Sequence, residues 1–407
     1  MKQPKKNKIW VIVGIVAFVA ALASLFVYGA LSRESELEQQ VRQAKEEGCL
    51  PLVLLSSMTG SYQYVGTDAA WTAQYAVDQI NQTGGINGTP VRLIVADTGS
   101  SPDSAQRLLE DVQSQLLCVL GPVNAPETAA VAEDVAQYGL LDIGTYSFQG
   151  ALEQAAPYGA AYMSQSVKGE IAGVTAWAAC NPDIHSIVIF SDQADSSKQE
   201  SAAALQEYLP QLGIEVLEVV DVPMDSNQRQ YMQAAIQALN RKPEGYLSLL
   251  DDNGYANILL QLRQRGVEEG RRIISSFTGF TQDMIDLAGD NLDGTYIWSK
   301  FNPYEESSQW AELSLVYQEE HGGAIPLNTI VVDLYDAIMA LKQCCEELNI
   351  TGNGNNQTVQ REQVAQWFYN SPEVQGIQST FYWKDGEKIK DYVLFVFEED
   401  TPVKQEK

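Results

Sequence analysis

The sequence predicts an α/β protein of two lobes, each a mostly parallel sheet flanked by helices, with an N-terminal transmembrane helix. Three observations predict it. From Leu52 onward short apolar strands alternate with helix-length segments, and parallel neighbours need crossovers of about a dozen residues, so the alternation means parallel sheet. Near Ser186 the series starts afresh, which makes two lobes, and 407 residues are enough for them. Ahead of both lies an uncharged apolar run, Ile9–Leu31.

In the first series, the strand Leu52–Leu55 runs into Ser56-Ser57-Met58-Thr59-Gly60. A helical pattern follows, with Trp71, Tyr75, Val77 and Ile80 on or near one face, and ends at Ile80-Asn81. The turn Gly84-Gly85-Ile86-Asn87-Gly88 lies between a helix and a strand, the reverse of the order a phosphate loop requires, so its glycines supply positive φ at a helix C-cap. The strand Val91–Asp97, an apolar segment Leu116–Leu120, the acid-rich helix Glu127–Tyr138 and a strand Leu140–Ile143 complete the series. In the second, strands are expected at Ile187–Phe190, Val216–Val220, Tyr246–Leu250, Ile273–Ser276 and Thr295–Trp298.

Lys2, Lys5, Lys6 and Lys8 precede Ile9–Leu31, which as a helix spans a bilayer core of about 30 Å. Basic residues stay on the cytoplasmic side, so residues 1–8 are expected there, 9–31 in the membrane, and everything beyond outside the cytoplasm, starting with a polar, charged and helix-compatible spacer at 32–48. The apolar run continues past Ala21-Leu22-Ala23, which favours a retained anchor; removal as a signal peptide is the alternative. No cysteine follows the run before Cys49, so a lipid anchor is not expected.

Fifty-three acidic against 26 basic residues give a formal charge of −27, which repels nucleic acid and anionic membrane surfaces. Five cysteines make no disulfide framework in a chain of this length, and without a CxxC pair they make no metal site either. Gly144-Thr145-Tyr146-Ser147-Phe148 is not a nucleophile elbow, and neither His185 nor His321 adjoins a nucleophile motif. No catalysis, cofactor or metal is expected; the fold is expected to be monomeric and to bind a small molecule.

Ligands of open α/β sheets bind beyond the carboxyl ends of the strands, so candidate contacts are read from the strand exits. After the first strand come Ser57, Tyr62 and Tyr64; after the third, Asn124, Ala125 and Pro126; after the fourth, Thr145, Tyr146 and Ser147. Short hydroxyls, amides and freed N–H groups suit a carboxylate or amide, and they equally suit turns and N-caps. The second series offers Asp192, Ser196, the pair Asp251-Asp252 and Thr278. Two adjacent carboxylates behind a buried strand are costly in a closed cleft unless a cation, hydrogen bonds or water compensates them. The other reading has one of them capping the helix through Asn257–Arg265 while its neighbour faces solvent.

The ordered set from Leu52 to Ser147, with Gly121-Pro122-Val123 and Tyr138-Gly139-Leu140-Leu141-Asp142-Ile143 at its joints, resembles the first lobe of the leucine/isoleucine/valine-type substrate-binding proteins of ABC importers. The resemblance implies a type I periplasmic-binding fold whose chain crosses between lobes three times. It places the first lobe at 49–163 and 302–372, the second at 164–301 and 373–399, and a tail at 400–407. It further implies capture of an amino acid or related nitrogenous solute between the lobes and delivery to an ABC permease, with a ligand-sensing ectodomain as the alternative. In that family the loops matching Asn124–Pro126 and Gly144–Ser147 hold the ligand's carboxylate and amino groups. This sequence departs from the pattern: the carboxylate-binding hydroxyl aligns with Ala125, the ammonium-binding acid falls at or near Thr278, and Ser196-Ser197 stands where an aromatic residue is expected.

Overall fold

The computed structural model describes residues 34–405 apart from 147–148, 163–166, 277–279, 324, 326–328 and 353–355. The Ile9–Leu31 run lies outside the described residues, among which no helix is long and apolar enough to cross a membrane.

The first sheet has the order β2-β1-β3-β4-β5 and is parallel throughout, with β1 at Leu50–Ser56, β2 at Val91–Asp97, β3 at Cys118–Leu120, β4 at Leu141–Gly144 and β5 at Gly159–Ala161. β1 is buried along its whole length, which is why it reads as a continuous apolar run. One of its faces packs on helices Gln63–Gln82 and Ile330–Glu347, the other on Pro102–Val112 and Ala125–Tyr138. Gly121 marks the close approach that the β3 exit needs: its φ is +77°, and a Cβ there would strike the carbonyl of Leu55.

The segment expected as a polar spacer is instead part of this lobe. Helix Glu36–Glu46 opens with a capping box between Ser35 and Glu38 and buries Leu37, Val41 and Ala44 in the core cluster that also holds Val53, Ile94 and Leu109. Its charged residues lie around a narrow apolar stripe.

The second sheet has the order β15-β14-β10-β9-β8-β6-β7, with β6 at Ser186–Ser191, β7 at Glu215–Asp221, β8 at Gly245–Ser248, β9 at Ile273–Ser275, β10 at Tyr296–Ser299, β14 at Val393–Glu398 and β15 at Thr401–Lys404. β14 and β15 add antiparallel to the parallel set. Residues 401–404, expected as a tail, thus form the edge strand of this sheet.

The strands β11 (Val374–Gln375), β12 (Thr380–Lys384) and β13 (Glu387–Lys390) form a small sheet of their own. Residues 373–390 were expected with the second lobe, but Phe381 and Trp383 enter the core of the first, and Trp383 Nε1 donates to the carbonyl of Ala161 at 2.8 Å. Thr380–Lys384 alternates between exposed and buried positions, and the distant partners of its buried side chains place the hairpin in the first lobe.

Charges are buried where this hairpin meets helix Ile330–Glu347. Lys388 Nζ donates to Asp333 Oδ1 at 2.8 Å and lies 3.5 Å from Asp336 Oδ2, while Lys390 Nζ is 4.0 Å from the same atom, all on side chains at most 2% exposed. Burial alone would raise the Asp333 carboxyl, but the Lys388 and Lys390 ammoniums hold it below the ordinary value; at Asp336 burial wins and the carboxyl is raised. Lys300, on the crossing after β10, lies 5.1 Å above the Tyr392 ring on the crossing before β14.

Candidate functional site

At the carboxyl edge of the first sheet the polar groups are turned toward one another. Ser57 and Glu127 are fully buried and Asn124 is 5% exposed. Ser57 Oγ donates to Glu127 Oε1 at 3.3 Å and accepts from Asn124 Nδ2 at 2.9 Å, and Thr98 Oγ1 donates to Glu127 Oε2 at 2.9 Å. Asn124 also caps helix Ala125–Tyr138, accepting from Glu127 N at 3.1 Å, while Ala125 and Pro126 supply the first turn and no polar side chain. Thr145 Oγ1 donates to the Tyr162 hydroxyl at 2.8 Å. Tyr146 points into the core and donates to Asp142 Oδ2 at 2.7 Å. Burial pushes the Asp142 carboxyl well above the ordinary range against the pull of that hydrogen bond, and its Oδ1 has no partner. Ser147 lies outside the described residues.

The loop after β1 is clamped in place. Asp97 accepts from Thr59 N at 3.2 Å, Thr59 Oγ1 at 2.8 Å and Gly99 N at 2.8 Å, and Tyr62 N donates to Ser100 Oγ at 3.0 Å. What this loop presents outward is Tyr64, 69% exposed.

The second edge is different. β6, β8, β9 and β10 all end on a buried serine, Ser191, Ser248, Ser275 and Ser299, whose hydroxyls serve local backbone. Asp192 accepts from Ala194 N and Met224 N, both at 2.9 Å, and braces the loop; Ser196 is exposed, and Asp195 rather than Ser196 caps the following helix. Asp251 caps helix Asp252–Arg263 through Gly254 N at 2.9 Å, and Asp252 accepts from Thr281 Oγ1 at 3.0 Å and from Asn253 N at 2.7 Å. Both carboxylates stay half-exposed, and with about four acceptor sites each they keep capacity in hand. Thr278 lies outside the described residues.

The two edges face each other. Gln149 N of the first lobe donates to Glu200 Oε2 of the second at 3.2 Å. Although Tyr64 is largely exposed, its hydroxyl is raised above its ordinary pKa first by partial burial and then by the Asp252 carboxylate, with Tyr62 and Asp251 adding to it. The charge of the aspartate pair thus reaches Tyr64 across the two edges, while Ser57, Asn124, Thr145 and Tyr146 are buried in the first wall with their hydrogen bonds already made. Glu127 and Thr98, the centre of that wall, were not foreseen; an acid at the third position of a capped helix was the available signal.

Two α/β lobes joined by three crossings, with facing carboxyl edges, define a two-lobed binding protein. The chain belongs to the periplasmic binding protein family, whose model matches residues 51–402. Among solved structures, a putative branched-chain amino acid ABC transporter from Rhodospirillum rubrum superposes with a TM-score of 0.71 at 18% identity, over 87% of this chain and 99% of the other. The substrate-binding protein LivJ from Streptococcus pneumoniae, in complex with isoleucine, gives 0.69 at 16% identity, over 88% and 100%. A solute-binding protein from Rhodopseudomonas palustris, in complex with 3,4-dihydroxybenzoic acid, gives 0.69 at 17% identity, over 86% and 93%. No curated protein sequence matches.

Proposed function

We propose that this protein is an extracytoplasmic solute-binding protein that captures a small, polar, nitrogen-bearing ligand between its lobes and delivers it to an ABC permease, held at the membrane by Ile9–Leu31. The observation that carries the reading is the partly exposed Asp251–Asp252 pair at the carboxyl edge of the second sheet, the edge that meets the first lobe through Glu200 and Gln149 and whose charge reaches the Tyr64 hydroxyl. An ammonium or amidinium group seated there gains charge-assisted hydrogen bonds, and an aromatic face opposite it favours a cation. Ligand contacts to both walls would stabilise a closed arrangement, the only way a ligand shifts such an equilibrium. Solutes bound by the structural neighbours, isoleucine and 3,4-dihydroxybenzoic acid, fit a fold whose cleft chemistry is set by its loops.

A thermal-shift panel of amino acids, amides, short peptides and polyamines on residues 34–407 tests it. A ligand at 100 times its Kd should add about 2.7 kcal/mol. A panel in which no solute raises Tm would overturn the reading. Cell fractionation tests the anchor: retention in the membrane with an N-terminus near Met1 supports it, and a soluble form beginning at Ser24 refutes it.

A further inference from the structure

Lys198 is 7% exposed, yet among the described residues its ammonium makes no hydrogen bond and no ion pair. Nor is Nζ among the fully enclosed side-chain atoms that lack partners, so the stem is buried while the charged tip keeps access to solvent. An isolated ammonium is expensive to desolvate. A chain with a formal charge of −27 does not lack acids with which to pair it.

Its place is the carboxyl edge of the second sheet. Lys198 lies in the first turn of helix Ser196–Tyr208, directly after β6, and its carbonyl accepts from Ser191 Oγ, at the end of that strand, at 3.2 Å. Two residues on, Glu200 touches the first lobe through Gln149 N. This end of the helix therefore borders the cleft. The acids nearest in sequence are engaged: Asp195 accepts from Ser197 N at 2.8 Å and Lys198 N at 3.2 Å, and Asp192 from Ala194 N and Met224 N. β6 pairs with β8, Phe190 opposite Ser248, so the exits carrying Lys198 and Asp251–Asp252 are neighbours, one strand spacing of about 5 Å apart at the sheet. The first-lobe exits, residues 56–66, 97–101, 121–126 and 144–146, contain no Lys, Arg or His, and their hydroxyls are engaged as described.

We propose that Lys198 binds an anionic group of the ligand, a carboxylate, so that the second lobe recognises both charges of a zwitterionic solute while the first supplies a wall without a cationic side chain. This deepens the proposed function and rests on it. The family resemblance put the carboxylate on first-lobe loops, with an ammonium-binding acid at or near Thr278; here the available charges of both signs stand on the second lobe. A zwitterion whose two charged groups reach neighbouring strand exits fits; an uncharged sugar or a plain polyamine does not.

The test compares amino acids with their carboxamides, which keep the amine and remove the anion, by calorimetry on residues 34–407. Wild type should bind the best amino acid at least tenfold more tightly than its carboxamide. Lys198→Met should bind the two alike, and Lys198→Arg should retain the preference. The unliganded Tm of Lys198→Met should be unchanged or higher, since the apolar stem is kept and the ammonium that goes has no protein partner to lose; should it fail to fold, Lys198→Gln takes its place. If the variant keeps the wild-type preference, or wild type binds both ligands equally, the assignment of Lys198 is overturned while the binding function stands. If wild type binds no solute, that function falls and this assignment with it.

Discussion

The carboxyl edges of the two sheets use polar residues in opposite ways. In the first lobe Ser57, Thr98, Asn124 and Glu127 close on themselves, and turning any of them to a ligand breaks a bond worth about 0.5–1.5 kcal/mol, or more where a buried group is left unpaired. In the second lobe Asp251 and Asp252 fix their own helix and still face outward. The first edge has its polar side chains buried and paired, and the second keeps two carboxylates partly exposed. Deeper in, the first lobe also closes charge on itself, in the buried Lys388–Asp333–Asp336 cluster.

Breaking that inner cluster should give the largest effect. Lys388→Met leaves the buried Asp333 without its 2.8 Å partner, and uncompensated buried charges cost about 3–5 kcal/mol. Urea unfolding of the unliganded protein should show it, and a loss below about 1 kcal/mol would mean that Lys390 takes over the pairing. The depressed Asp333 pKa sets the pH dependence: its contribution is present above the unfolded carboxyl value of about 3.9 and is lost as pH falls through its lower folded value.

The outward pair should respond the other way. Asp251→Asn with Asp252→Asn keeps a capping side chain, so stability should hardly change, while affinity for a cationic or zwitterionic ligand should fall by about 2 kcal/mol or more. Unchanged affinity in calorimetry would remove both aspartates from the site and leave the second edge as structural as the first.

Asp142 makes the reverse pH prediction. Its folded pKa is raised, so above about pH 3.9 the unfolded chain gives up this proton while the fold retains it, and stability declines by up to about 1.4 kcal/mol per pH unit until the folded group ionises. Asp142→Asn removes that titration. Its stability relative to wild type should climb from pH 4 to pH 7, and a flat difference in paired urea curves would show that Asp142 is ionised in the fold.

Local signals carried most of the fold. The strand Val91–Asp97 appears with the predicted bounds as a partly exposed edge strand, and Ile187–Phe190 lies inside β6 because a buried parallel strand reads as an uninterrupted apolar run. Residues 36–46 were legible as helix-compatible, but their charges hid the narrow stripe of Leu37, Val41 and Ala44 that packs the helix onto the first lobe. In the site, Asp251 as an N-cap was one of two readings the sequence left open. The Ser57–Glu127 contact joins residues 70 apart in sequence, and no local pattern announces it. Lys198 had a signal that went unused, a basic residue shortly after β6 in an acid-rich chain.

The smallest predicted effect cuts most directly at the contrast between the edges. Asn124→Ala removes the cap on Glu127 N and the donor to Ser57 Oγ, which should cost about 1 kcal/mol of stability. If the first edge is only a wall, that loss appears in unfolding and not in binding, because the ligand never held Asn124. Calorimetry on the folded variant should then return the wild-type Kd within about a factor of two, which is about 0.4 kcal/mol. A tenfold weaker Kd at unchanged Lys198 and Asp251 would show that the ligand draws Asn124 out of its cap, and recognition would then be shared between the lobes.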